Sequence, residues 1–181
     1  LGVGGGGIAI YFEADKNKYY YIDFRETAPG ERNIYNIATP GFIKGMDYLN
    51  RQFGTMEIKE LIQPTVKLSF SGYESNEHLK NRVKYSRYDI QKNPIYENIN
   101  SGKIIQRDYG IFLNILSRQG VDYYYSQEYV DKLNDKLGQE IFAYSDFSNY
   151  EVIAEELEAI DFMEKQFYLP PPPSSAVLYI Q

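Results

Sequence analysis

Two short apolar runs near the start of the chain suit strands. "IAIYF" (8–12) and "YYYIDF" (19–24) are built from β-branched and aromatic residues and flank a polar stretch, Glu13 to Lys18, containing Asp15 and Asn17. β-Branched and aromatic runs around a polar turn predict a β-hairpin. From Pro40 the period lengthens. Phe42, Met46, Leu49 and Phe53 are spaced by 4, 3 and 4, the stripe of an amphipathic helix. "PTVKLSFSG" (64–72) predicts a second helix, with Pro64 suited to its start and Gly72 to its stop. "RDYGIFLNILSRQG" (107–120) places Tyr109, Phe112, Leu113 and Leu116 on one face and ends at Gly120. "SQEYVDKLNDKLG" (126–138) offers Ser126 as N-cap, Val130, Leu133 and Leu137 as a buried stripe, and Gly138 beyond the C-terminus. These stripes read as core.

Other segments are less regular. Residues 73–101 are polar and rich in Tyr and Asn, which suits a loop or irregular helices with a solvated His78. "EVIAEELEAI" (151–160) favours a helix by intrinsic propensity. In "YLPPPPSS" (168–175), four consecutive prolines remove backbone donors and exclude a helix or a central strand. As a free tail this would be a polyproline ligand; inside a fold it would be a strap ending in Ser174, an N-cap for a helix starting near Ala176.

Composition narrows the field. A chain of 181 residues with 43% hydrophobic residues is long enough for a real core. A net charge of −6 and scattered basic residues argue against a nucleic-acid surface. No cysteine is present, which removes disulfides, thiolate metal sites and a Cys nucleophile; a single His leaves little room for a His-based metal site or a Ser-His-Asp triad. No run reaches the ~20 apolar residues of a membrane span. The chain opens inside a strand-like run and closes as an apolar segment begins, so a fragment or one processed subunit of a longer protein is expected.

Two stretches bear on chemistry. "GVGGGG" (2–7) precedes a strand, whereas a phosphate loop lies between a strand and a helix, so the structural reading is favoured. "DFRETAP" (23–29) ends a strand on Arg25 just before Pro29. Residues two apart share a strand face, so Asp23 and Arg25 can pair while Glu26 points the other way. Without further context that pair reads as an ion pair at a strand end, worth only ~0–1 kcal/mol if exposed.

In order along nearly the whole chain, "GVGGGG", "DFRETAP", the helical stretches 39–73 and 102–133, and "LPPPPSSAVLYIQ" (169–181) resemble the large subunit of the γ-glutamyltranspeptidases. "DFRETAP" and "PPPPSS" are the specific elements. Three departures stand out: a shorter loop from Gly30 to Ala38, Ala176-Val177 where relatives often have two glycines, and an end before the threonine that starts the small subunit.

The resemblance implies an α+β fold, the four-layer αββα sandwich of N-terminal-nucleophile (Ntn) hydrolases, of which residues 1–181 would be a large-subunit fragment with a helical insertion. Residues 1–29 would supply sheet strands, 40–138 would be mostly helical, and 150–181 would hold strands, the Pro-rich strap and a helix start; 151–160 becomes a strand. It implies a self-cleaving zymogen whose small subunit supplies the threonine nucleophile, so no catalytic residue is expected in this chain. The expected activity is transfer of γ-glutamyl from glutathione-like donors to water, amino acids or peptides, with no metal or organic cofactor. Arg25 would bind the donor's α-carboxylate, supported by Asp23 or Glu26. Alternatives are an acylase or poly-γ-glutamate depolymerase of the same fold, or a non-catalytic relative. Family members are often exported, and a signal peptide would precede Leu1.

Overall fold

The computed structural model describes residues 2–30, 37–86, 99, 102–176 and 178. The chain divides into two compact units, Leu1–Phe53 with Tyr124–Gln181, and Gly54–Tyr123.

The first unit is organised by a three-stranded antiparallel sheet in the order β1 (Ile8–Glu13), β2 (Lys18–Asp23), β5 (Ile153–Leu157). The predicted hairpin is present, running in register from Ile8 opposite Asp23 to Glu13 opposite Lys18. Its turn places Asn17 at φ 54, a conformation asparagine tolerates better than most residues. On the other edge of β2, Tyr19 faces Leu157 and Asp23 faces Ile153. Residues 153–157 are therefore a strand despite their Ala-Glu-Glu-Leu composition. Pairing with β2 overrides helix propensity, and Lys18 steadies the Glu-rich strand through an ion pair to Glu156 at 2.7 Å.

Strand periodicity sorts the sheet into two faces. Tyr11 and Tyr20 share one face, and both reach Phe53 at the end of α1 (Phe42–Phe53), with ring centroids 3.9 and 5.7 Å apart. The opposite face holds Ile8, Ile10, Phe12, Tyr21, Asp23 and Ile153 by register. In α1 the residues fully buried are Ile43 and Gly45, whereas the Phe42-Met46-Leu49 stripe is half-buried. The reason is Gly45: a Cβ there would lie 2.2 Å from the Phe24 ring, so the helix approaches β2 on its glycine face.

The remainder of this unit is aromatic. Helix α5 (Gln127–Leu137) starts at Ser126, whose hydroxyl accepts from the Tyr129 N–H at 3.2 Å, and ends at Gly138 in the left-handed conformation, φ 69. Val130 is buried, but Leu137, expected in the buried stripe, is 43% exposed. Tyr124, Tyr125 and Tyr129 gather around Phe147 of α6 (Tyr144–Ser148), which is completely buried. Each phenol needs a partner when buried. Tyr124 donates to the Val3 carbonyl and Tyr125 to the Pro40 carbonyl, both at 2.9 Å. A further hairpin, β6 (Ile160–Phe162) and β7 (Lys165–Phe167), turns through Met163 and Glu164, both at positive φ. The proline segment crosses as irregular backbone with Pro170 buried, and Tyr168 before it stacks on Tyr19 at 3.7 Å. Ser174 accepts from the Ala176 N–H at 3.2 Å, as an N-cap would; beyond Ala176, only Leu178 of that predicted helix is among the described residues.

In the second unit, α2 (Ile58–Ser71) packs on α4 (Arg107–Gln119). Val66 and Ser69 are buried from α2, and Gly110, Leu113 and Leu116 from α4. Pro64, expected at a helix start, lies inside α2. The stripe Ile58-Ile62-Val66-Ser69 continues through it, and Pro64 and Glu60 are exposed, so the carbonyl that proline leaves unpaired is open to solvent. Gly72 ends α2, donating to the Leu68 carbonyl at 2.8 Å, and Gly120 does the same for α4. From the segment 73–101, β3 (Tyr73–Glu74) pairs with β4 (Lys103–Ile104) beyond it, and α3 (Glu77–Lys84) carries an exposed His78; residues 87–98, 100 and 101 of the predicted irregular segment lie outside the described residues.

The glycines differ sharply in what surrounds them. A Cβ at Gly41 would lie 1.9 Å from the Tyr150 hydroxyl and 2.3 Å from the Phe24 carbonyl, whereas one at Gly4 would meet nothing within 4 Å. Gly41→Ala is expected to destabilise the full-length protein by about 1–3 kcal/mol, and Gly4→Ala by far less. Urea unfolding of both variants checks this; equal midpoints would contradict the packing.

Candidate functional site

The site grows from the end of β2. Tyr21 and Asp23 project from one face of the strand, and the chain beyond Asp23 brings Arg25 back to the same side. The Asp23 carboxylate accepts from the Arg25 backbone N–H at 2.9 Å and from Nε at 3.0 and 3.1 Å. Arg25 Nη2 also donates to Asp23 Oδ2, and to the Tyr21 hydroxyl at 3.1 Å; that hydroxyl in turn donates to Asp23 Oδ2 at 3.0 Å. Asp23 is 12% exposed and Arg25 35% exposed at the side chain. The acid is thus buried under its partners while the guanidinium reaches the surface.

Backbone fixation is equally dense. Gly7 and Phe24 exchange both of their backbone hydrogen bonds, at 2.9 and 3.1 Å. A Cβ on Gly6 would stand 2.3 Å from the Phe24 carbonyl and 2.7 Å from the Arg25 Cα, so only glycine lets the first segment pass this close. The Gly5 carbonyl accepts from the N–H groups of Gly41 and Phe42, tying the same loop to the start of α1. Tyr150 donates to the Arg25 carbonyl at 3.0 Å. One turn further on, Thr27 and Thr39 form an isolated antiparallel bridge, and Pro29 is buried.

The electrostatics follow from these contacts. Hydrogen bonding to the Arg25 side chain, opposed in part by burial, lowers the Asp23 pKa to about 2. The Arg25 pKa is raised, chiefly by the same hydrogen bond. Burial, then Asp23, pushes the Tyr21 phenol up; burial, then the negative charges of Asp23 and Glu26, raises Tyr150 to about 12. Both phenols stay protonated at neutral pH and keep donating.

Of the three residues singled out in the sequence, the fold joins Asp23 and Arg25. Glu26 makes no ion pair with Arg25; its carboxylate lies beside Gly5, 3.3 Å from where a Cβ would be. Tyr21 and Tyr150 were not anticipated. Tyr21 was legible through the two-residue period it shares with Asp23. Tyr150, 125 residues from Arg25, leaves no local signal. The guanidinium has one end to spare: among the described residues, Nη1 makes no hydrogen bond, so it can meet an anion from outside. Among those residues no group of three or more His, Asp or Glu side chains is arranged to hold a metal.

The glycine-threaded sheet edge and its held arginine belong to a mixed helix-and-sheet fold that matches solved Ntn-hydrolase structures. Over 99% of its length the chain superposes on the crystal structure of the Bacillus anthracis transpeptidase CapD with a TM-score of 0.82 and 26% identity, covering 64% of that chain. It belongs to the γ-glutamyltranspeptidase family, whose model matches residues 1–181. The chain is 28% identical to the capsule biosynthesis protein CapD proenzyme of Bacillus anthracis, over 99% of its own length and 35% of that protein. It is 26% identical to a glutathione hydrolase proenzyme of Pseudomonas sp. strain A14, over 98% of its length and 36% of that protein. It therefore spans about a third of the length of these curated relatives, members of an enzyme family.

Because Asp23 titrates lower in the folded state, its contribution to stability is present above its ordinary pKa of 3.8 and is lost as pH falls from there towards about 2. Asp23→Asn removes that contribution. The difference in melting temperature between wild type and Asp23→Asn should be largest above about pH 4 and shrink towards pH 2. A difference that does not vary over this range would contradict the assignment.

Proposed function

We propose that this chain is the large-subunit part of a γ-glutamyltransferase or γ-glutamyl hydrolase, and that Arg25 anchors the α-carboxylate of the donor. The observation that carries the reading is the geometry of Arg25 within the "DFRETAP" motif: a guanidinium fixed through Nε and Nη2 with Nη1 left for a ligand. A guanidinium stays charged at any working pH, and its charge-assisted hydrogen bonds to a carboxylate are short and directional. Asp23 uses its lone pairs on Arg25 and Tyr21, so it does not compete for the donor's ammonium group.

The reacting groups would come from a small subunit of the same precursor. There an N-terminal threonine hydroxyl would attack the γ-amide carbonyl while its own α-amine takes the proton and returns it to the leaving amine. The resulting acyl-enzyme would pass γ-glutamyl to water or to an amino acid or peptide. The proenzyme names of the relatives support such a precursor. So does the sheet: Ile8, Ile10 and Phe12 are 43–46% exposed on the face that bears Asp23, an apolar surface suited to a second protein layer. No helix among the described residues is long and apolar enough to cross a membrane.

The test is expression of the full-length gene followed by N-terminal sequencing and donor kinetics. The reading expects a second chain beginning with Thr. In the processed enzyme, Arg25→Ala should raise the γ-glutamyl-anilide KM about 30–150-fold, corresponding to ~2–3 kcal/mol for a charge-assisted hydrogen bond. An uncleaved precursor, or an unchanged KM, would overturn it. Glutaryl-anilide, which keeps the carboxylate but lacks the amine, separates a γ-glutamyl enzyme from an acylase.

A further inference from the structure

Asp23 alone could form the side-on pair with Arg25, yet a third group completes the arrangement. The Tyr21 hydroxyl accepts from Arg25 Nη2 at 3.1 Å and donates to Asp23 Oδ2 at 3.0 Å, closing a ring of hydrogen bonds among phenol, carboxylate and guanidinium. Tyr21 is 2% exposed, so its ring cannot swing aside when a ligand arrives. Its register on β2, opposite Ile10 and Glu155, sets the height of the hydroxyl above the sheet.

The consequence is a matter of counting hydrogens. Nη2 has two: one goes to Asp23 and the other to Tyr21. Nε has one, shared between the two Asp23 oxygens. Only the two hydrogens of Nη1 are left. An end-on, two-point grip by Nη1 and Nη2 together is closed off, and an incoming carboxylate is directed to Nη1.

Resting on the proposed role of Arg25 as donor anchor, we propose that Tyr21 is a positioning residue for donor specificity, setting through Nη2 the direction in which Arg25 presents Nη1 to the donor carboxylate. Tyr21 touches no substrate in this account and acts only through Arg25. Its loss should therefore weaken donor binding while leaving the chemical step intact, and should have no effect once Arg25 is gone.

A double-mutant cycle on the processed full-length enzyme tests this, using γ-glutamyl-anilide as donor. Tyr21→Phe keeps the ring and removes the hydroxyl. The expected result is a donor KM raised about 5–10-fold with kcat within about 2-fold, since a hydrogen bond to a charged group is lost but the Asp23 pair remains. In the Arg25→Ala background the same substitution should leave KM unchanged within about 2-fold. A KM unmoved or lowered by Tyr21→Phe, a fall in kcat of similar size, or an effect that persists without Arg25 would overturn the inference. The failures are separable. If Arg25→Ala alone leaves KM unchanged, the anchor reading fails and the inference with it. If Arg25→Ala raises KM but Tyr21→Phe does not, only the inference fails.

Discussion

Gly6 passes directly against the backbone of Phe24, Arg25 and Glu26, and much in the first unit depends on that contact. With any side chain at Gly6, a Cβ would overlap the Phe24 carbonyl at 2.3 Å and the Glu26 nitrogen at 2.7 Å. Because nothing is there, Gly7 can pair with Phe24, and the Gly5 carbonyl can receive the first N–H groups at the start of α1. Strand, loop and helix start are thereby joined around one short stretch of main chain. Gly41 and Gly45 repeat the device from the helix side, each close against Phe24. The glycine run is thus a packing surface for the segment that bears Arg25. Its conformational cost is offset by contacts that no larger residue permits.

The tyrosines take up the second half of the task. Buried phenols need partners, and for Tyr124, Tyr125 and Tyr150 these are backbone carbonyls of nearby loops: Val3, Pro40 and Arg25. Lys44 adds to this, donating to the Tyr150 carbonyl at 3.2 Å with its ammonium 4.9 Å from the centre of the Tyr125 ring. Aromatic bulk fills the core while the hydroxyls hold irregular backbone in place. Arg25 is consequently held at its backbone by Tyr150 and at its side chain by Asp23 and Tyr21, which is the preorganisation a binding group needs.

Much of this was legible in the sequence where local chemistry and tertiary packing agree. The β1–β2 hairpin, the helices ending at Gly72, Gly120 and Gly138, and the Ser126 cap all follow from periodicity and capping. Residues 153–157 did not: their propensity is helical, and only pairing along β2 makes them a strand, which the family resemblance anticipated and the residues alone did not. Pro64 misled because an exposed helix face tolerates a proline that a buried one would not. The β6–β7 hairpin was missed because Met163 and Glu164 occupy positive φ without the Gly or Asn that normally marks such a turn. At the site, the Asp23–Arg25 pair was readable from a spacing of two, whereas the contribution of Tyr150 depends on the fold bringing together distant parts of the chain.

We propose that Arg25, held by Asp23, recognises the donor's α-carboxylate. The most direct measurement compares inhibition of the processed enzyme by L-glutamate and by 4-aminobutyrate, which lacks only that carboxylate, in wild type and Arg25→Ala. Wild type should bind glutamate more tightly than 4-aminobutyrate, and Arg25→Ala should lose the preference. A preference of the same size in both proteins would contradict it.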